Sequence, residues 1–212
     1  MSNDGELKHR EYIEWVNWWW EESANKDKKR LLLIGDSVAR QFRGNFNNMC
    51  TEKYGMAVDF LGTSASVRSD LLLREIKSFF DACDYKYEMI LLQVGHHGYR
   101  TRCKADEAEA ELFAENYELL LDYLAEKVNG NIIVLANTPV ANDESKNEEI
   151  RIRNDISKKV AGERGEYPYF DMYSLMAESD FVYTDDVHFE RSADLFIAEK
   201  ILAFLEEGKY FQ

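Results

Sequence analysis

The sequence has few of the residues that break, cross-link or anchor a chain. Only two prolines occur among 212 residues, and no stretch is rich in glycine and serine. The three cysteines, Cys50, Cys83 and Cys103, are an odd number without Cys-x-x-Cys spacing, which excludes a disulfide framework and a zinc-ligand pattern. No apolar run reaches the roughly 20 residues of a membrane span, and no basic-then-apolar leader pattern opens the chain. We therefore expect a cytoplasmic protein with free thiols, no cofactor, no metal and no membrane partner.

Basic residues are also scarce. Lysine and arginine number 26 against 40 acidic residues, and the formal net charge of −14 at pH 7 would repel nucleic acid. The one basic run, "KDKKR" at 26–30, precedes an apolar segment and is typical of a solvated turn. Hydrophobic residues make up 45% of the chain, which is enough for the core of one domain of this length. These counts favour a globular protein that does not bind nucleic acid.

The hydrophobic pattern alternates between strands and helices. Short apolar runs predict five strands, and helical periodicity predicts a helix after each of them. The predicted strands are 31–35, 56–62, 87–95, 131–139 and 167–173, and the predicted helices are 38–53, 69–83, 105–128, 145–163 and 192–207. Such alternation predicts an α/β fold, a three-layer α/β/α sandwich around a mostly parallel five-stranded sheet.

A tryptophan-rich segment precedes these elements. "EYIEWVNWWWEE" at 11–22 places Trp15 and Trp19 at helical spacing, which predicts a helix that packs across the flank of the domain. We divide the chain into this N-terminal helical segment, 1–27, and a single domain, 28–212. The alternative is that some of these rings are exposed and stack on a sugar or on a partner protein.

The first predicted strand ends in Gly35-Asp36-Ser37, with almost no loop before the next helix. Ligands of parallel sheets bind beyond the carboxyl ends of the strands, which makes these residues candidates for chemistry. A serine at a helix N-terminus is a nucleophile if a base reaches it, because the backbone N–H groups there stabilise developing negative charge. An N-cap is the alternative role for Ser37. "GDSVAR" has neither GxxxxGK[ST] nor GxGxxG spacing, so a phosphate loop is disfavoured.

A second polar cluster precedes the last predicted helix. "YTDDVHFE" places Asp185 three residues before His188. This spacing lets the carboxylate bond Nδ1 of the imidazole and leaves Nε2 to accept a proton from a serine. Asp186 is a rival for the carboxylate role, and a plain surface histidine is the alternative for His188.

Taken in chain order, the motifs resemble those of the SGNH, or GDSL-like, hydrolase family. They are the GDS at 35–37, the glycine at 62 after the second strand, the Gly-x-His at 95–97 and the DxxH at 185–188. The resemblance spans 31–207 and implies a flavodoxin-like SGNH hydrolase fold and an ester-hydrolysing activity.

The resemblance also implies roles for individual residues. Ser37 would be the nucleophile, His188 the general base and Asp185 the group that orients the imidazole. The oxyanion hole would be formed by the N–H groups of Ser37 and Gly62 and by the side chain at position 97, where the family has asparagine. His97 is a departure from that pattern, since a histidine N–H donates as an amide does but also titrates near neutral pH.

Two sequence forms, "VGHHGYR" and "GDSVARQ", are closer to the PC-esterase-like branch, whose members are linked to acyl groups on glycans. Asp36, Arg40 and His96 are therefore candidate substrate contacts. Arg68 and Arg100 also lie near the motifs and are candidates for an anionic substrate, although arginines on helix faces are more often solvated. Metal binding is an alternative for the histidine pair, but adjacent residues on a turn seldom ligate one ion.

We predict a serine esterase that hydrolyses a short acyl ester, such as an O-acetyl group, on a small molecule or a glycan. Two alternatives stay open. One is a carbohydrate O-acetyltransferase, which passes the same acyl group to a sugar hydroxyl. The other is a catalytically silent glycan-binding module, for which the altered position 97 and the tryptophan-rich segment are the motivation.

Overall fold

A computed structural model describes residues 10–98 and 107–211. In this part of the chain one sheet has the strand order β1-β3-β2-β4-β5-β6. The strands are β1 Val16–Trp19, β2 Arg30–Gly35, β3 Ala57–Thr63, β4 Tyr87–Gln93, β5 Val128–Leu135 and β6 Tyr169–Phe170. The helices are α1 Ser37–Tyr54, α2 Asp70–Asp81, α3 Glu107–Ala125, α4 Glu144–Gly165, α5 Met172–Ala177 and α6 Arg191–Glu207. None of these helices combines the length and the apolar character that a membrane span requires.

Helices cover both faces of the sheet. β2 lies in the middle of it, and all six of its residues are buried. Leu31 and Leu33 pack in one core cluster with α1 and α6, whereas Leu32 and Ile34 pack in the other with α2, α3 and α4. A strand buried on both faces is therefore apolar at every position rather than at alternate ones. The predicted three-layer α/β/α sandwich is confirmed.

The five parallel strands are the predicted ones, but the last is shorter than predicted. β6 ends at Phe170 because the side chain of Asp171 accepts the N–H of Ser174 and caps the short helix α5. α5 begins within the predicted strand 167–173 and continues past its end, and the apolar run does not predict it. The sheet edge at β6 is thus a two-residue strand.

The prediction of an N-terminal helix is wrong. Residues 16–19 form β1, an antiparallel edge strand that places Val16 opposite Thr63 and Trp19 opposite Phe60. β1 therefore makes the sheet six-stranded rather than five-stranded. A four-residue spacing of large apolar residues fits a helix face, but it also places them on one face of a strand. β-branched and aromatic residues favour the strand. The domain boundary at residue 27 stays a prediction.

A buried ion pair fixes the turn that follows β1. Nη1 of Arg30 lies 2.8 Å from Oδ1 of Asp59, and the two side chains are 1% and 0% exposed. The hydroxyl of Tyr87 donates to Oδ2 of Asp59 at 3.0 Å. The same guanidinium donates to the carbonyls of Glu21 at 2.8 Å and Glu22 at 3.1 Å. The pair thus connects β2 and β3 to the N-terminal segment.

Candidate active site

A single residue separates β2 from α1. Asp36 is the N-cap of α1, and its Oδ1 accepts the N–H of Val38 at 2.8 Å. The capping alternative for Ser37 is therefore wrong, since Ser37 is the first helical residue and its hydroxyl is not needed for the cap. A Cβ on Gly35 would lie 2.4 Å from the Cβ of Ala39, so glycine lets the helix begin directly against the strand. The Gly-Asp-Ser order thus presents a serine hydroxyl at the carboxyl edge of the sheet.

The imidazole of His188 lies between Ser37 and Asp185. Its Nε2 is 2.7 Å from Oγ of Ser37, and its Nδ1 is 2.8 Å from Oδ2 of Asp185. The structure thus brings together the three side chains that the spacing predicted. A hydroxyl bonded to an imidazole whose other nitrogen bonds a carboxylate can pass its proton to that imidazole.

The Asp-x-x-His spacing forms a local turn. Oδ1 of Asp185 accepts the backbone N–H groups of Val187 and His188, both at 2.8 Å. Burial alone would raise the pKa of Asp185, but these two N–H groups and the His188 ring lower it to about 2. The carboxylate that contacts the imidazole is therefore ionised at neutral pH.

Backbone contacts place this turn against the rest of the domain. The N–H of Thr184 donates to the carbonyl of His188 at 2.8 Å, which closes a hairpin around the turn. The carbonyl of Asp186 accepts the N–H of Ala141 at 2.9 Å. Asp185, not the rival Asp186, is the residue whose carboxylate bonds the ring.

A chain of buried amides lies beneath Ser37. Nε2 of Gln93 donates to Oδ2 of Asp36 at 3.0 Å and to Oδ1 of Asn137 at 2.9 Å. Nδ2 of Asn137 donates in turn to Oδ1 of Asn154 at 3.0 Å. Because both carboxylate oxygens of Asp36 are bonded and the residue is 2% exposed, the prediction that Asp36 contacts substrate is wrong. In the sequence, these hydrogen-bonded amides are indicated by the polar residues at the carboxyl ends of β4 and β5.

The predicted substrate contact His96 is also buried beneath the site. Its Nε2 lies 3.3 Å from Oγ1 of Thr138, and the residue is 3% exposed. Burial lowers the pKa of His96 to about 4, although the nearby charge of Asp36 opposes this shift. His96 is therefore a neutral group in the floor of the site, and its prediction as a substrate contact is wrong.

The depressed pKa of His96 predicts acid sensitivity of the fold. The unfolded chain binds a proton on this ring near pH 6.5, while the folded protein does so only near pH 4. Stability from this group is therefore present above pH 6.5 and lost as the pH falls to 4, by at most about 3 kcal/mol. Urea unfolding of the parent and of His96→Asn at pH 7, 5.5 and 4 measures this loss of stability. We expect the free energy of unfolding to fall more between pH 7 and pH 4 in the parent than in His96→Asn. An equal fall in the two proteins would contradict this.

The ring of His97 faces the N-terminal segment. Its Nδ1 lies 3.8 Å from Oε1 of Glu11, and the N–H of Gly98 donates to the same oxygen. The His97 ring lowers the pKa of Glu11, although burial works in the opposite direction. The imidazole that the Ser37 hydroxyl contacts is that of His188, not that of His97. A role of His97 as an oxyanion donor therefore stays a prediction, and Glu11 is a neighbour that the motif analysis did not identify.

Two buried arginines hold the loop at 95–98, which follows β4. Arg153 donates to three carbonyls of this loop, at 2.7, 2.9 and 3.2 Å. Arg68 donates to the Gly98 carbonyl, which Arg153 also contacts, and to Glu109. Neither arginine side chain is exposed. The loop begins and ends in glycines with φ of 130° and 95°, which permit its path. Arg68 is thus structural rather than a substrate contact, and Arg100 lies outside the described residues.

Gly62 is not placed as the sequence motif predicted. It lies within β3, and two residues further on the N–H of Ser64 donates to the carbonyl of Trp15 at 3.1 Å. N–H groups two residues apart point to the same edge of a strand, so the N–H of Gly62 points toward β1 and away from Ser37. The predicted oxyanion role of Gly62 is therefore wrong. A Cβ there would meet the Phe60 ring at 2.5 Å, so packing explains the glycine.

Arg40 remains a candidate substrate contact. It is exposed on α1, one turn after Ser37, and its guanidinium lies 5.2 Å from the ring centroid of Trp15. The backbone N–H of Ser37, at the start of the same helix, remains the candidate oxyanion donor. Both roles stay predictions.

Solved structures similar to this chain include esterases and one O-acetyltransferase. An acetylxylan esterase from Geobacillus stearothermophilus has a TM-score of 0.63 at 14% identity, covering 86% of this chain and 96% of the other. A member of the lipolytic G-D-S-L family from Veillonella parvula has a TM-score of 0.64 at 19% identity, covering 82% and 97%. The catalytic domain of the peptidoglycan O-acetyltransferase from Streptococcus pneumoniae has a TM-score of 0.53 at 17% identity, covering 86% and 95%.

Other comparisons add nothing further. No family model and no curated protein matches the chain. The similar structures do not support the PC-esterase-like branch, which stays a prediction. The sheet order, the helices on both faces and these structural similarities agree with one another. The chain therefore has the fold of the SGNH, or GDSL-like, hydrolases.

Proposed function

We propose that the protein is a serine esterase that removes a short acyl group, such as acetyl, from a hydroxyl of a carbohydrate. The observation that carries this proposal is the hydrogen-bonded row of Ser37, His188 and Asp185, with distances of 2.7 and 2.8 Å. The fold supports the reaction class, because solved structures with this fold include esterases of acylated carbohydrates.

In the proposed reaction each of the three side chains has a step. Oγ of Ser37 attacks the acyl carbon while Nε2 of His188 takes the hydroxyl proton, and the carbonyl electrons move to the oxygen. The N–H of Ser37 at the start of α1 stabilises this oxyanion. The intermediate then collapses, the ester C–O bond breaks, and His188 returns the proton to the leaving alcohol. Water attacks the acyl-enzyme by the same route, and ionised Asp185 stabilises the imidazolium in both halves.

A serine-directed fluorophosphonate tests the nucleophile directly. We expect intact-mass analysis to show one adduct on the parent, and none on Ser37→Ala, because only a serine beside a base reacts fast. Ser174→Ala is the matched control, since Ser174 is an exposed helical serine outside the site. An unlabelled parent would contradict the esterase and favour a silent binding module. Equal labelling of the parent and Ser37→Ala would contradict Ser37 as the nucleophile.

A carbohydrate O-acetyltransferase is the second candidate, since one similar solved structure is such an enzyme. Both reactions share the acyl-enzyme and differ in whether water or a sugar hydroxyl takes the acyl group. Incubation of the parent with 4-nitrophenyl acetate and xylo-oligosaccharides separates them. We expect free acetate as the product, and acetylated sugar in excess of free acetate would identify the transferase.

A further inference from the structure

The edge strand β1 carries a row of side chains along the flank of α1. Trp15, Asn17 and Trp19 alternate with their neighbours and share one face of the strand. Trp19 lies opposite Phe60, which belongs to the core cluster beneath α1. We call Trp15, Asn17 and Trp19 the edge stripe.

Each tryptophan of the edge stripe is paired with an arginine of α1. The guanidinium of Arg40 lies 5.2 Å from the Trp15 ring centroid, and that of Arg43 lies 3.9 Å from the Trp19 ring centroid. Trp19 is nevertheless 45% exposed. Part of the Trp19 ring is therefore available to a ligand despite its contact with Arg43.

The edge stripe begins at the candidate active site. The N–H of Trp15 donates to Oγ of Ser64 at 2.8 Å, and Ser64 directly follows β3 at the carboxyl edge of the sheet. Arg40, above Trp15, lies one helical turn after Ser37. From Trp15 to Trp19 the strand advances about 13 Å, so the stripe leads away from Ser37 along the molecule.

We propose that the edge stripe is a sugar-binding surface that holds a neutral polysaccharide chain while its ester lies at Ser37. This inference rests on the proposed function. A sugar ring has an apolar face and a rim of hydroxyls, which matches indole rings beside the Asn17 amide and two guanidinium groups. Tryptophan and arginine are also enriched in protein interfaces. What favours a substrate chain over a protein partner is that the stripe begins beside Ser37, with Arg40 one helical turn after it. The net charge of −14 disfavours a polyanion.

Substrates of increasing length test this surface. We expect the parent to deacetylate acetylated xylohexaose with a higher kcat/KM than acetylated xylobiose. In Trp19→Ala the value for the hexaose should fall about tenfold, while that for 4-nitrophenyl acetate stays unchanged. Trp19→Tyr should keep most of the hexaose activity because it keeps an aromatic face. Leu119→Ala, which truncates a 55% exposed side chain on α3, is the matched control.

The outcomes separate this proposal from the proposed function. A parent that is inactive on 4-nitrophenyl acetate would contradict the esterase, and calorimetric titration with unacetylated xylohexaose would then test the stripe alone. Unchanged hexaose activity or binding in Trp19→Ala, or an equal loss on the aryl ester, would overturn the sugar-binding role. A change of oligomeric mass in Trp19→Ala without a change in hexaose activity would identify a self-association surface instead.

Discussion

Replacing Ser37 with alanine should lower the turnover of 4-nitrophenyl acetate by about 10⁴- to 10⁶-fold. The hydroxyl that forms the acyl-enzyme is lost, and no other serine is bonded to His188 within the described residues. His188→Ala should cost about as much, because the hydroxyl at 2.7 Å then has no base. Since the two residues act as a unit, the double variant should be no slower than either single one.

The loss in Ser37→Ala should occur without loss of stability. Asp36, not Ser37, supplies the N-cap of α1, so removing the Ser37 hydroxyl should change the free energy of unfolding by less than about 0.5 kcal/mol. Urea unfolding measures this, and initial rates of 4-nitrophenol release measure the turnover. A Ser37→Ala variant that retains turnover within tenfold of the parent would exclude Ser37 as the nucleophile.

The side-chain contacts that the sequence predicts correctly are those made by local spacing. A spacing of three positions from Asp185 to His188 is enough to form a turn in which one carboxylate accepts two backbone N–H groups and contacts the imidazole. The buried run 31–35 likewise identifies a central strand, because only such a strand is apolar at consecutive positions. The strand order then places Ser37 near His188, which local spacing alone does not show.

The choice between capping and catalysis at Ser37 depends on where α1 begins. Asp36 and Ser37 are both good N-cap residues, and a shift of one residue exchanges their roles. The close approach of Gly35 to Ala39, and the second bond from Gln93 to Asp36, fix the helix start. The Gln93 contact joins positions 57 residues apart, whose proximity follows only from the pairing of β2 with β4.

Long-range polar contacts were not predictable for the same reason. Arg153 lies in a charged stretch, "EEIRIRND", that reads as a solvated helix face. In the structure it is fully buried and bonds carbonyls of the loop at 95–98. The partner of this arginine is a loop distant in sequence, so neither periodicity nor a motif indicates the contact. The misplaced role of Gly62 has the same origin, since β1 occupies the edge toward which its N–H points.

Removing one partner of the buried Arg30–Asp59 pair should destabilise the protein by about 3–5 kcal/mol. Asp59→Ala leaves the Arg30 guanidinium charged and buried, and Nε of Arg30 already has no hydrogen-bond partner in the described part of the chain. Asp59 also accepts the N–H of Glu21 at 2.9 Å, so its loss loosens the turn after β1. The midpoint of urea unfolding should fall accordingly at pH 7.

Two controls show that this loss comes from an uncompensated buried charge. The double variant Arg30→Met, Asp59→Leu should be more stable than Asp59→Ala, because it buries apolar groups and no lone charge. Asp84→Ala breaks the exposed pair with Lys26, at 3.5 Å, and should cost less than about 1 kcal/mol. A loss in Asp59→Ala as small as that in Asp84→Ala would mean that water reaches Arg30. β1, and with it the edge stripe, would then be held in place by the strand pairing with β3 rather than by this ion pair.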